Sequence, residues 1–229
     1  MFLALPIQHE QADPKPGVPL ANSCLIAANV ILFVLSTMAG WNFGVGHGTG
    51  LIAILLYGFS HANFLHLAVN MWLLMILGNP VNRRLGNLYY TLAYLSTIVT
   101  LGVFGRIFLR EPIVGASGAI FAVFAIALLL MPSARIKFVY IALFPVTLLI
   151  GWFKKPEHEV FWLIRYGTFY LRSLACLWII PLVLLLSFVV SGWNWAHLGH
   201  LLGMVCGVAI VLVLPKRITM GSAGYELSG

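Results

Sequence analysis

The sequence is short of charged residues. Only 8% of its 229 residues are Asp, Glu, Lys or Arg, whereas an average soluble domain has about 25%. Hydrophobic residues make up 61% of the chain. A surface with so little charge excludes a water-soluble globular domain, so lipid is the expected solvent for most of it.

Cysteines are also few, and they show no spacing typical of a metal site. Cys24, Cys176 and Cys206 each lie within an apolar stretch. Cysteines in such surroundings behave as small buried hydrophobic residues. The sequence therefore predicts neither a disulfide nor a bound metal.

The basic residues form no patch with interleaved aromatics, although the formal net charge is +7. They are spread thinly between apolar runs, so they indicate membrane topology rather than nucleic-acid binding. The first residues, MFLALPIQHEQADPKPG, lack a basic region followed by a long apolar core. A cleaved signal peptide is not expected, and the first apolar span is expected to direct insertion.

The apolar runs predict an all-α, polytopic membrane protein with six spans in one helical bundle, because a crossing helix needs about 20 apolar residues. The remaining residues predict a short cytoplasmic N-terminal segment at 1–20, a membrane domain at 21–214 and a cytoplasmic tail at 215–229. The predicted spans are 21–39, 64–79, 87–105, 115–131, 173–190 and 198–214.

Lys and Arg residues near the span ends predict the orientation. With a cytoplasmic N-terminus, eleven of them lie inside, and only Arg106 and Arg110 lie outside. Such a bias is typical of the cytoplasmic side, so both termini are expected there. A bacterial inner membrane is the expected location.

One further apolar segment, 136–152, is long enough to be a seventh span. Pro145 interrupts it, and basic residues flank it on both sides. Basic flanks at both ends favour a segment that enters and leaves on the same side. We therefore interpret 136–172 as an interfacial or re-entrant insertion on the cytoplasmic side.

Three polar clusters fall at the outer ends of spans two, four and six, which places them at one membrane face. They lie in His61-Ala-Asn-Phe-Leu-His66-Leu-Ala-Val-Asn70, in Gly115-Ala-Ser117-Gly118 and in Trp195-Ala-His197-Leu-Gly-His200. Polar groups in the hydrocarbon region are costly unless they are paired or functional.

The clusters contain the parts of a nucleophilic site. His200 could take the proton of Ser117, since histidine titrates near neutral pH. His66 and Asn70 are four residues apart on one helical face and could donate to an oxyanion. No acidic residue lies in a predicted span, so a dyad is expected rather than a triad.

Each cluster also has a purely structural interpretation. Gly-Ala-Ser-Gly is typical of close helix packing in membranes, and His66 with Asn70 could be an interhelical hydrogen bond. His61 and His197 could be interfacial polar residues, or could line the site. Only the shared depth of the three clusters favours an enzyme.

The same residues resemble the rhomboid family of intramembrane serine proteases. The resemblance runs from about Leu51 to Gly207 and rests on His66-Leu-Ala-Val-Asn70, Gly115-Ala-Ser117-Gly118 and His200-Leu-Leu-Gly203 with Gly207. It implies a six-helix core with Ser117 as nucleophile and His200 as general base. It also implies an oxyanion site formed by His66, Asn70 and the Ser117 N–H.

The resemblance carries further expectations. The glycines three and seven residues after the histidine favour His200 over His197. The implied substrates are transmembrane protein segments, cleaved without a cofactor. Asn82 stands where many members have a glutamate, so a structural anchor is expected to be weaker here, and the segment 151–172 is longer than in compact members.

Two other functions compete with a protease. A non-catalytic rhomboid-like protein that binds transmembrane helices would typically lack the serine or the histidine, and this chain has both. A transporter or channel would be favoured by paired intramembrane charges or symmetric broken helices, and neither pattern is present. The sequence does not indicate the substrate or the oligomeric state.

Overall fold

The computed structural model describes residues 2–10, 17–41, 43–145, 162–192 and 194–219. It is mostly helical, and its long helices coincide with the predicted spans to within a few residues. The helices are α1 Leu20–Ala39, α2 Ala53–Leu56, α3 Phe64–Leu73, α4 Asn79–Phe108, α5 Ser117–Leu130, α6 Ser173–Val190, α7 Trp195–Val213 and α8 Lys216–Thr219.

Spans two and three form one helical run that folds back at Gly86. A π-turn, Leu74–Gly78, joins α3 to α4. Inside α4, Gly86 has φ 78° and ψ 168°, a conformation that favours glycine and reverses the chain. The run Phe64–Phe108 is therefore two predicted spans, and it is one of four described helical stretches long and apolar enough to cross a membrane.

Helix α5 is shorter than a membrane is thick. Its 14 residues span about 21 Å at about 1.5 Å per residue, against about 30 Å of hydrocarbon. Most of its side chains are buried, because the other spans surround it. A short central helix keeps at least one of its ends below the bilayer surface.

Helices α5 and α7 touch backbone to backbone. A Cβ atom added to Gly203 would collide with the carbonyl oxygen of Gly118, and one added to Gly207 would collide with that of Ala122. Small residues allow this close approach in membrane proteins. The contact fixes the relative position of the two helices that carry Ser117 and His200.

A three-stranded antiparallel sheet was not predicted from the sequence. Strands β1 Phe2–Glu10, β2 Arg135–Pro145 and β3 Trp162–Arg172 lie in the order β1-β2-β3. Part of the N-terminal segment is thus a strand. The predicted insertion at 136–172 begins within β2 and ends with β3, and these two strands pair with each other. Residues 11–16, 146–161 and 220–229 of these predicted segments lie outside the described residues.

The start of β2 has the alternation of a strand. Ile136 and Phe138 are buried, Arg135 is exposed and Lys137 is half-buried, as expected when successive side chains point to opposite faces. Ser173, the first residue of α6, donates its N–H and its hydroxyl to the carbonyl of Ala134 at 3.0 and 3.2 Å. The end of α5 and the start of α6 therefore lie together at the end of the bundle opposite Ser117.

Asparagine side chains join α1 to the turn between spans two and three, and two of them, Asn22 and Asn82, are buried. Asn82 accepts from the N–H of Asn22 at 3.0 Å and donates to Asn87 at 3.0 Å. The amide of Asn22 donates to Asn79 at 2.8 Å and accepts from the Tyr90 hydroxyl at 2.6 Å. Asn82 thus forms an anchor at the position where the resemblance placed a glutamate.

Candidate active site

Ser117 lies at the N-terminus of α5, directly after a turn that needs glycine. Gly115 has φ +115°, a region that other residues rarely adopt. Its N–H donates to the carbonyl of Tyr57 at 2.8 Å. The first N–H groups of a helix have no partner within the helix and form its positive end. The turn therefore directs these donors toward the space beside Ser117.

His200 lies in the second turn of α7, facing Ser117. Its Nε2 is 2.9 Å from the Ser117 Oγ, and both side chains are partly buried. Asn194 caps α7 by accepting from the N–H of Ala196 at 2.9 Å. The 2.9 Å separation is a hydrogen-bond distance, so the imidazole can accept the hydroxyl proton.

His197 does not take this position. Its ring centroid is 6.2 Å from that of His200, in an edge-to-face arrangement. The structure therefore brings His200, and not His197, to Ser117.

The sequence reasoning missed Phe121, which stacks on His200. The two rings are 4.5 Å apart at their centroids and 18° from parallel. Phe121 is four residues after Ser117, so helical spacing does place the two side chains on one face. That spacing could have identified Phe121 as a neighbour of Ser117, but not as a stacking partner of His200.

His66 and Asn70 on α3 lie beside Gly115. A Cβ on Gly115 would be 2.7 Å from the His66 Cε1 and 3.6 Å from the Asn70 Nδ2. The side chain of Asn63 caps α3 by accepting from the N–H of His66 at 2.8 Å. Because Gly115 has no side chain, His66 and Asn70 can lie directly against its backbone, two residues before Ser117.

The amide of Asn70 is a buried donor without a partner. The residue is 3% exposed, and its Nδ2 has no hydrogen-bond acceptor among the described residues. A buried unsatisfied donor costs about 1–3 kcal/mol. Such a cost is expected where a group must stay available for a transient negative charge.

His61 lies in the turn before α3. Its ring centroid is 5.2 Å from that of His66, and its Nδ1 is 3.3 Å from the Phe59 carbonyl. Burial and the nearby His66 lower its pKa to about 4, against the effect of the hydrogen bond to Phe59. His61 also lines a cavity of about 550 Å³ with mixed polar and apolar walls at the Ser117 end of the bundle.

An apolar cavity of about 250 Å³ extends from Phe121 between spans two and five. Its lining comes from α3, the π-turn, α5, α6 and the first two strands: Leu5, Pro6, Leu73, Leu77, Ile120, Phe121, Phe124, Phe138, Ile180, Val183 and Leu184.

Within the described residues, no three His, Cys, Asp or Glu side chains cluster closely enough to hold a metal ion.

Comparisons with known proteins identify the family. A family model for the Rhomboid domain matches residues 48–217. The Arabidopsis thaliana protein "Rhomboid-like protein 11, chloroplastic" is 42% identical over 77 residues, 33% of this chain and 28% of that one. The Bacillus subtilis (strain 168) protein "Putative rhomboid protease YdcA" is 32% identical over 114 residues, 46% of this chain and 54% of that one.

The matched regions thus span about a quarter and about half of the two relatives. The family model alone covers most of the present chain, including the residues around Ser117 and His200. This chain, with its several apolar membrane helices, belongs to the rhomboid family.

Proposed function

We propose that the protein is an intramembrane serine endopeptidase that cleaves transmembrane segments of other proteins with a Ser117–His200 dyad. The observation that carries the proposal is the 2.9 Å distance between the His200 Nε2 and the Ser117 Oγ. A serine hydroxyl is a weak nucleophile until a neighbouring base accepts its proton.

In the proposed reaction, His200 Nε2 takes the proton of Ser117 as the Oγ attacks the substrate carbonyl. The tetrahedral intermediate collapses to an acyl-enzyme when the C–N bond breaks, and His200 gives the proton to the leaving amine. Water then attacks the ester, His200 again takes and returns a proton, and the carboxylic acid leaves.

Donors from two elements would stabilise the intermediate. Asn70 Nδ2 and the ring of His66 approach from α3, and the first N–H groups of α5 approach from the Ser117 side. Donors placed where negative charge develops are worth about 3 kcal/mol each. The unpartnered state of the Asn70 amide supports this role.

The surroundings suit a substrate that arrives from the bilayer. The short α5 favours a nucleophile below the membrane surface, with the cavity beside His61 as a route for water. The apolar cavity that begins at Phe121 could take the apolar side chains of a transmembrane segment. We propose that the Ser117 end faces outward and that both termini are cytoplasmic.

The test is cleavage of a transmembrane reporter by purified protein in liposomes. Wild type is compared with Ser117→Ala, His200→Ala and His197→Ala, and with Ser191→Ala as a matched serine control. We expect loss of product with the first two variants and retention with the other two. A fluorophosphonate probe should label wild type and the Ser191 variant but not the Ser117 variant.

Two results would contradict the proposal. Cleavage that persists without Ser117 would exclude this nucleophile. No cleavage of several reporters together with no probe labelling would favour the non-catalytic, helix-binding function.

A further inference from the structure

The face of the sheet turned away from the helices carries basic and aromatic side chains. At the end of the hairpin nearest the helices, Arg135 pairs with Arg172, and Lys137 pairs with Tyr170 two residues further along, on the same face of the sheet. Both arginines are exposed and Tyr170 is 46% exposed. Ile136, between the two rungs, is fully buried on the opposite face. We call Arg135, Lys137, Tyr170 and Arg172 the basic rungs.

The basic rungs lie next to the ends of two membrane spans. Arg135 follows Ala134, whose carbonyl accepts both hydrogen bonds from Ser173, and Arg172 directly precedes Ser173. Ser173 begins α6, and Leu130, four residues before Ala134, ends α5. Side chains placed at the ends of crossing helices are at the depth of lipid headgroups.

The charges of the basic rungs are not balanced by the strands themselves. Arg135 and Arg172 are directly opposite each other, and like charges in such a pair are destabilising. Glu10 pairs with Arg135 from the other side, on β1, so these positions carry three positive charges and one negative. Lys137 Nζ lies 5.5 Å from the centre of the Tyr170 ring, a contact that keeps its charge on this face.

We propose that the basic rungs bind the phosphate of an anionic phospholipid headgroup. Two guanidinium groups offer planar pairs of donors that match phosphate oxygens. Tyr170 is amphipathic, as are the side chains that prefer the membrane interface. A bound phosphodiester would supply the missing negative charge and relieve the repulsion between Arg135 and Arg172.

A lipid is favoured over a free anion because of the position of the site. The acyl chains of a lipid whose phosphate lies at the basic rungs can run along the adjoining α6, whose exposed side chains are apolar. Exposed residues of this helix include Leu174, Trp178 and Leu182. A free phosphate ion would gain nothing from that surface.

The experiment uses the full-length protein in vesicles that contain brominated lipids, with tryptophan fluorescence quenching as the readout of lipid association. Brominated phosphatidylglycerol is compared with brominated phosphatidylcholine. The variant Arg135→Gln/Arg172→Gln is compared with Arg83→Gln/Arg110→Gln, which removes the same charge from other exposed positions. We expect wild type to prefer the anionic lipid, and each lost cation of the basic rungs to reduce the preference roughly fivefold.

Three controls test whether the preference depends on positive charge, whether each variant is folded, and whether a free anion competes with the lipid. Arg135→Lys/Arg172→Lys should keep most of the preference, and the melting temperature should show that all variants fold. Phosphate added to the buffer at constant ionic strength should leave the preference unchanged. The proposal is overturned if both double glutamine variants lose the preference equally, if wild type has none, or if free phosphate abolishes it.

Discussion

Phe121 and His200 stack face to face, with ring centroids 4.5 Å apart. The stacked ring holds the imidazole in a plane from which its Nε2 reaches the Ser117 Oγ. In a serine protease triad, a carboxylate performs the orienting task. Here the ring of Phe121, one helical turn after Ser117, is in the right place to orient His200, the proposed base.

Replacing Phe121 by leucine should lower kcat more than it changes KM, because His200 loses its stacking partner while leucine keeps the cavity lining apolar. An aromatic pair contributes about 0.5–1.5 kcal/mol beyond burial, so the expected loss is up to about tenfold. Phe121→Tyr should restore the rate, since it keeps the ring. Equal kinetics for the leucine and tyrosine variants would argue against an orienting role.

Replacing Asn70 by alanine should separate activity from stability. The proposed oxyanion donor is lost, so kcat should fall about 10²–10³-fold. The melting temperature should stay the same or rise, because an unpartnered buried amide is removed. A marked loss of stability with little loss of kcat would instead indicate a structural role for Asn70.

Replacing Gly203 by alanine should abolish cleavage while the protein still inserts into the membrane. The added methyl group would meet the Gly118 carbonyl, so α7 must move away from α5 and His200 away from Ser117. Gly199→Ala is the matched control on the same helix, since nothing lies within 4 Å of its added Cβ. If the two variants cleave equally well, the helix contact does not set the dyad distance.

Acid should destabilise the protein through His61. Its pKa is about 4 in the folded state because of burial and the nearby His66, and about 6.5 in an unfolded chain. The unfolded state therefore takes up the proton first, and the free energy of unfolding falls as the pH drops from about 6.5 to about 4.

The measurement is the melting temperature of wild type and of His61→Gln at pH 7 and at pH 5. The melting temperature of wild type should fall more between pH 7 and pH 5 than that of the variant, because glutamine takes up no proton at this position. An equal loss in both proteins would mean that His61 does not contribute to the acid sensitivity.

The spans could be predicted because a helix that crosses the bilayer needs a long apolar run, and because glycine and proline mark the turns between these runs. The shared depth of Ser117, His200, His66 and Asn70 followed from counting spans. Their close approach could not be derived in this way. It depends on the backbone contact of Gly203 with Gly118, and on the packing of His66 and Asn70 against Gly115, which has no side chain.

The strands could not be predicted, because their partners are distant in the sequence. Glu10 pairs with Arg135, and no pattern in the sequence near either residue predicts this contact. The alternation from Arg135 to Phe138 is short and continues into an apolar run, which resembles a membrane span. Hydropathy alone therefore favoured a membrane-associated segment over a hairpin.

The amides that join α1 to the turn at Gly86 are uncharged. Asn22, Asn82 and Asn87 cannot gain or lose a proton at any pH that proteins survive, and their hydrogen bonds are insensitive to ionic strength. The opposite end of the bundle is rich in histidine. Acid should therefore leave the hydrogen bonds between α1 and this turn unchanged, even where protonation of His61 destabilises the other end of the bundle.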